Sequence, residues 1–296
     1  MTHRIPVIVL AALVSFAQAG RSIVADPPIT CDSCEAWNAP QAPFRIFGNT
    51  YYVGTAGLSA VLITSDNGLI LLDGALPQSA RWIDQSIRAM GFRTEDVRLI
   101  VNSHAHFDHA GAIAALQRAS GAVVAASPSG ALALEQGKPV SDDPQAGSSA
   151  FPPAKSVRVV TDGDVLRVGT LSITAHFTAG HTPGSTTWTW RPCEGSRCLN
   201  LVYADSLNSV SLPGFRFTGD ATHPSRVESF RQSIAKVAAL PCDILVTVHP
   251  EFAGMSKKLA LRAQQPETNP FIDTNACRVY AATASKSLDR RVAEEQ

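Results

Sequence analysis

The sequence predicts an α/β fold in which two β-sheets pack together and helices cover their outer sides. Three observations predict it. Short apolar runs with turn punctuation open each half of the chain, helical spacing follows each β-rich stretch, and a composition of 45% hydrophobic and 17% charged residues supplies a large core. The length of 296 residues fits one large α/β unit, expected over residues 20–296.

The elements follow in order. Residues 20–43, rich in Pro, Ser and Asn, read as an extended arm into the fold. Phe44–Phe47, Tyr51–Val53, Ser59–Thr64 and Leu69–Leu72 are strand-like runs separated by Gly-Asn, Gly and Asp-Asn-Gly. Ser79–Met90 has helical spacing of Ile83, Ile87 and Met90, and Arg98–Asn102 reads as a buried strand. Asp108–Arg118 reads as a helix, Ala122–Ala126 as a strand, Ser127–Leu134 as a short helix and residues 137–156 as a surface loop. The second half repeats the pattern: strands near Val157–Val160, Val165–Val168, Leu171–Phe177, Thr186–Trp190 and Leu199–Ala204, a helix near Arg226–Leu240, a strand at Ile244–Val248 and a last helix over residues 274–293.

Residues 1–19 carry Arg4, an apolar stretch from Ile5 to Phe16, and Ala17-Gln18-Ala19 in the small-residue pattern of a signal-peptidase site. They are expected to be a cleaved signal peptide, because twelve apolar residues are too few to span a bilayer. The mature protein is therefore expected in the periplasm, without a membrane span. Formal net charge is zero, and loss of a segment holding one Arg and no acid leaves −1. Nucleic-acid partners are excluded on that ground, since no basic excess or stripe is present.

Six cysteines, Cys31, Cys34, Cys193, Cys198, Cys242 and Cys277, all lie in the exported part, where disulfides are the default. Fifteen pairings are possible. Cys193 with Cys198 could clip a hairpin, and Cys242 with Cys277 would close a loop of 35 residues. Cys31 and Cys34 form the least defined pair, since CxxC spacing also suits a zinc half-site or a redox motif.

The chemistry is concentrated in Ser103-His104-Ala105-His106-Phe107-Asp108-His109, directly after an apolar strand. In an extended chain His104 and His106 share a face, so both can point at one cation. Asp108 and His109 follow as the chain turns into a helix. His181, in Gly180-His181-Thr182-Pro183-Gly184, and His249 also follow strands. Imidazole and carboxylate are the ligands zinc takes when it keeps an open position for water. His3, in the signal, and His176 and His223, which lack a ligand partner in sequence, are expected to take no part.

With these residues the chain resembles the metallo-β-lactamase superfamily over most of its mature length. Phe47-Gly48-Asn49-Thr50, Tyr52-Val53-Gly54-Thr55, His104-Ala105-His106-Phe107-Asp108-His109-Ala110-Gly111, Gly180–Gly184 and Tyr203-Ala204-Asp205-Ser206 are similar to the third subclass of true metallo-β-lactamases. The resemblance implies an αββα four-layer sandwich with two Zn2+ per chain at one edge. It implies one zinc on His104, His106 and His181 and a second on Asp108, His109 and His249. Where other subclasses have a cysteine ligand this chain has Ser206, which is expected to act through water at most. Asn208 stands where relatives usually carry Ser or Thr to hold the substrate carboxylate, and its amide can donate in their place.

The activity implied is hydrolysis of a small-molecule β-lactam by a hydroxide that zinc generates near neutral pH, with Asp108 both a ligand and an orienting group. A monomer is favoured. Ser233-Ile234-Ala235-Lys236 and Ser65-Asp66-Asn67 imitate serine β-lactamase motifs but occur in reversed order without a K-T-G, and read as a solvated helix face and a turn. Two other functions fit parts of the pattern. A thioesterase of the glyoxalase II type, or a lactonase, uses an acidic bridging residue close to the position of Asp205. A non-catalytic periplasmic zinc-binding protein would need the ligands but no substrate cleft.

Overall fold

The structure, a computed structural model, describes residues 23–221 and 223–296. The expected signal peptide lies outside the described residues. Among them, β1 (Phe44–Phe47), β2 (Thr50–Tyr52), β3 (Val61–Ile63), β4 (Leu69–Leu72), β5 (Val97–Val101), β6 (Val123–Ala126) and β7 (Arg158–Val159) form one sheet in sequence order. The second sheet uses β8 (Val165–Val168), β9 (Leu171–Phe177), β10 (Thr186–Trp190), β13 (Leu201–Ala204) and β14 (Ile244–Thr247), in the order β14-β13-β10-β9-β8. A separate hairpin joins β11 (Cys193–Glu194) to β12 (Arg197–Cys198).

Alternation along the strands builds the layers. In β4, Leu69 and Leu71 pack under the first sheet's helices, while Ile70 and Leu72 face the space between the sheets. In β13, Leu201 and Tyr203 enter that same space, and Val202 and Ala204 face the helices on the other side. Three apolar layers separate four structural ones, which is the expected αββα sandwich. A fully buried Leu or Ile contributes about 1.5–3 kcal/mol, so a one-residue slip of either strand would exchange its two faces at prohibitive cost.

The helices are α1 (Cys34–Trp37), α2 (Ala80–Ala89), α3 (Phe107–Ala110), α4 (Ile113–Ser120), α5 (Pro128–Gln136), α6 (Val227–Ala239), α7 (Met255–Gln264) and α8 (Ala276–Glu294). The helix expected over Asp108–Arg118 is two, broken at Ala112, where the backbone leaves helical geometry (φ −94°, ψ 0°); Gly111 just before it packs on Pro77, and a Cβ there would lie 2.5 Å from the Pro77 nitrogen. The arm is not simply extended, since it contains α1. Helix α7 was not anticipated: only Met255 in it is buried, so its apolar periodicity is faint. Residues 137–156 form a loop, but Val140, Asp143, Phe151 and Ala154 are buried in it.

The disulfides are Cys31–Cys34, Cys193–Cys198 and Cys242–Cys277, which removes the zinc half-site reading of the first pair. No helix among the described residues is long and apolar enough to cross a membrane.

Candidate metal centre

Four strand ends converge at one edge of the sandwich. The loop after β5 carries His104 and His106, the β9–β10 connection carries His181, β13 leads into Ser206, and β14 leads into His249. Side-chain and backbone bonds across the sheets hold the loops in place. Thr186 N–H donates to the Ser103 carbonyl at 2.8 Å, the Trp188 indole N–H to the Asn102 carbonyl at 3.0 Å, and the Ser59 hydroxyl to the Thr247 carbonyl at 2.7 Å.

All six expected ligands come together. The rings of His104, His106 and His181 lie with centroids 4.7, 4.8 and 5.1 Å apart, and their ligand atoms fall within 4.8 Å of one another. Helix α3 starts at His106 and puts Asp108 and His109 in its only turn, where they form a second group with His104. Asp108 Oδ2 lies 3.2 Å from His109 Nε2 and 3.4 Å from His249 Nε2, so His249 reaches the same carboxylate from the opposite sheet.

The donors suit a cation. His104 Nε2 and His109 Nδ1 are buried without a hydrogen-bond partner, a costly arrangement for polar atoms unless something else occupies them. Burial, helped by the neighbouring imidazoles, brings His181 down to about 3 and His104 well below its ordinary value, so both rings are neutral and able to ligate at pH 7. Burial works against ionised Asp108, but His109 and His249 outweigh it and hold the carboxyl well below the usual range. These are the protonation states a zinc site requires.

Outer partners fix the rings. His104 Nδ1 donates to Asp205 Oδ1 at 2.6 Å, His181 Nδ1 to the Asn208 carbonyl at 2.8 Å, and His249 Nδ1 to the Gly57 carbonyl at 3.2 Å. Asp205 thus sits on the far nitrogen of His104, and Ser206 rather than Asp205 lines the cleft. That arrangement takes away the feature that favoured a thioesterase. The cleft, of about 530 Å³, is open over the ligands and lined also by Asn208, Trp37 of α1, Gln145, Val210 and Phe252.

Four contributors were not read from the sequence. Asp73 is fully buried at a positive φ of 60° and accepts from Asn102 Nδ2, Ser103 N–H, Ser103 Oγ and Tyr203 Oη at 2.6–2.9 Å, bracing the segment before the first ligand. Its signal was an acid closing the apolar run Leu69–Leu72. Asp143 and Gln145, in the 137–156 loop, reach His106; Trp37 packs 5.2 Å from the His249 ring. Of the histidines expected to take no part, His3 lies outside the described residues, His176 bonds Thr189 and His223 lies 3.4 Å from Asp220. Ser233 of the serine motif is buried rather than solvated, and its hydroxyl donates to the Ala179 carbonyl at 2.6 Å. Lys236 pairs with Asp162 instead.

This architecture is an αββα sandwich with a cluster of metal-type ligands at one edge, and comparison with known proteins gives it a family. Residues 54–192 match the metallo-beta-lactamase superfamily. The solved structure of Rm3 metallo-beta-lactamase is 50% identical, with 90% of this chain and 99% of that one aligned at a TM-score of 0.87. MEM-A1, a subclass B3 metallo-beta-lactamase from a soil metagenome library, is 48% identical over 88% of this chain and 98% of its own, TM-score 0.85. SMB-1 in complex with mercaptoacetic acid is 44% identical over 88% and 99%, TM-score 0.83. The chain belongs to the metallo-β-lactamase superfamily, in subclass B3.

Proposed function

We propose that the protein is an exported β-lactamase of the periplasm, acting as a monomer with two zinc ions per chain and hydrolysing the amide bond of β-lactam antibiotics. The observation that carries this reading is the convergence of five histidines and one carboxylate, with orphaned ring nitrogens on His104 and His109, beneath an open cleft. His104, His106 and His181 would hold one ion; Asp108, His109 and His249 would hold the other. Zinc in such a site supplies Lewis acidity and brings the pKa of a ligated water from about 15.7 to about 7.

The protein's own residues do the rest. Asp108, held ionised by its histidine neighbours, accepts a hydrogen bond from the attacking water and points its lone pair at the lactam carbonyl carbon. Ser206 and Asn208 line the cleft and donate to the substrate carboxylate. Trp37, Val210 and Phe252 give the cleft apolar walls against the substrate's side arms. No covalent intermediate on a protein side chain is needed.

The test compares turnover of a carbapenem, a penicillin and a glutathione thioester by the purified mature protein, before and after a chelator and after added zinc, with zinc counted per chain. Lactam hydrolysis that a chelator abolishes and zinc restores, at two zinc per chain, is the expected result. Thioester turnover without lactam hydrolysis would overturn it in favour of the thioesterase, and zinc occupancy with no hydrolysis in favour of a binding protein.

A further inference from the structure

The three histidines of the first cluster do not present the same nitrogen. His104 and His181 bond outward through Nδ1, which leaves Nε2 for the centre. His106 is reversed, because its Nε2–H donates to Asp143 Oδ1 at 3.0 Å and Nδ1 is left facing the other rings. A neutral imidazole has two tautomers, and the partner of one nitrogen decides which lone pair is available at the other. His106 enters from the same extended segment as His104, so its reversal depends on a partner outside that segment.

That partner is built rather than incidental. Asp143 is 5% exposed although it lies in a loop without regular structure. Its N–H donates to the Val140 carbonyl at 3.1 Å, its carbonyl accepts from Ala146 at 3.0 Å, and its Oδ1 also accepts Gln145 N–H at 2.7 Å. The adjacent residues fasten the turn on the other side. Asp142 pairs with Arg226 at 3.3 Å, the Pro144 carbonyl accepts Leu212 N–H at 3.0 Å, and the Gln145 side chain lies in the cleft 3.5 Å from His106 Nδ1. A buried carboxylate is expensive unless paired, and His106 is the side chain that pairs it.

We propose that Asp143 is a positioning residue for the metal centre, holding His106 in the tautomer and ring orientation that turn Nδ1 toward the cluster. The 137–156 loop then does more than cover the cleft: through Asp143 it sets one ligand of the site, and through Gln145 it meets whatever occupies the cleft. The inference rests on the metal-site reading above.

The experiment measures zinc affinity of the mature protein by competition with a chromophoric chelator for wild type, Asp143→Ala, Asp143→Asn, Asp143→Leu and Asp142→Ala. Removal of an outer partner of a metal-bound histidine weakens binding about 10- to 100-fold, which is the expected result for Asp143→Ala. Asp142→Ala, which loses the Arg226 contact but not the His106 contact, is expected to bind zinc as wild type does. Wild-type affinity in Asp143→Ala, or an equal loss in Asp142→Ala, overturns the proposal. Asp143→Asn, whose amide oxygen can still accept from His106 Nε2–H, is expected to keep more of the zinc affinity than Asp143→Ala; if Asp143→Ala does not fold, Asp143→Leu, which fills the site without an acceptor, decides: weaker zinc binding supports the role and unchanged binding refutes it. Lactam hydrolysis is measured in parallel on wild type, so that a zinc-binding but inactive wild type sinks the functional reading without deciding the role of Asp143.

Discussion

Asp205 and His104 meet inside the sandwich, Oδ1 to Nδ1 at 2.6 Å, with side chains 0% and 1% exposed. Asp205 follows β13 and His104 follows β5, so this one contact ties a ligand of the first sheet to a strand end of the second. Burial raises the Asp205 carboxyl above its ordinary value, yet the short contact gives its oxygen an imidazole donor. Asp205→Ala is expected to weaken zinc binding about 10- to 100-fold while leaving the second group of ligands intact. Zinc per chain after dialysis, read beside kcat/KM, checks it. Were Asp205 itself a bridging ligand, both ions would be lost together.

Acid should unfold the metal-free protein through buried His104 and His181, in opposition to His109, whose value, despite burial, the Asp108 carboxylate raises. In the unfolded chain these imidazoles titrate near 6.5, whereas burial keeps folded His181 neutral until about 3 and His104 neutral well below its ordinary value. Below pH 6.5 the unfolded state therefore binds more protons than the folded one, and stability falls as pH falls, by at most about 1.4 kcal/mol per pH unit for each such histidine. The share of His181 runs from about 6.5 down to about 3. Urea midpoints of chelator-treated protein between pH 4 and 8 should show this slope, and His181→Gln should flatten it; a midpoint independent of pH would contradict the assignment.

Much of this site could be read directly because metal ligands combine residue type with strand-end position, and both are visible in His104-Ala105-His106-Phe107-Asp108-His109. The layers were legible for a similar reason, since Leu69–Leu72 and Leu201–Ala204 alternate between two buried faces. What escaped reading depends on contacts distant in sequence. Asp143 reaches His106 across 37 residues and Asp73 reaches Ser103 across 30; nothing local distinguishes Asp143 from a solvated acid, and Asp73 is marked only by closing the apolar run Leu69–Leu72. Helix α7 escaped because a surface helix with one buried residue has little apolar period to detect. Trp37 escaped because the arm's Pro and Asn content hid the four-residue helix that seats it beside His249.

The disulfides should divide stability from substrate binding. Cys242–Cys277 spans 35 residues and anchors α8 beside β14, so Cys242→Ser with Cys277→Ser is expected to cost about 4 kcal/mol in the chain-entropy account. Cys31–Cys34 spans only 3 residues and constrains the unfolded chain far less, but it starts the helix that carries Trp37 to the cleft. Its double serine variant should unfold close to wild type and show a raised KM. Denaturant midpoints and steady-state kinetics on the two pairs of variants check the division, and an unaltered KM in the second would remove Trp37 from the substrate wall.

The proposed function gives Asn208 two roles that substitution can separate. Its backbone carbonyl accepts from His181 Nδ1 at 2.8 Å and orients that ligand, a contact that any side chain preserves. The residue also lines the cleft beside Ser206, where on the proposed function its amide would donate to a substrate carboxylate. Asn208→Ala should therefore leave zinc content and the thermal midpoint unchanged while raising KM several-fold for lactams that carry a free carboxylate, with kcat little affected, because the lost hydrogen bond is made equally to bound substrate and transition state. An average hydrogen bond to a charged group contributes about 1.5–3 kcal/mol, so the loss is expected to reach about tenfold or more where water does not replace the amide. Asn208→Ser and Asn208→Thr restore a shorter donor and should recover part of the affinity. Methyl esters of the same lactams supply the control: they should not distinguish wild type from Asn208→Ala. A KM penalty that persists with the esters would mean that the amide touches another part of the substrate and that the carboxylate is held elsewhere.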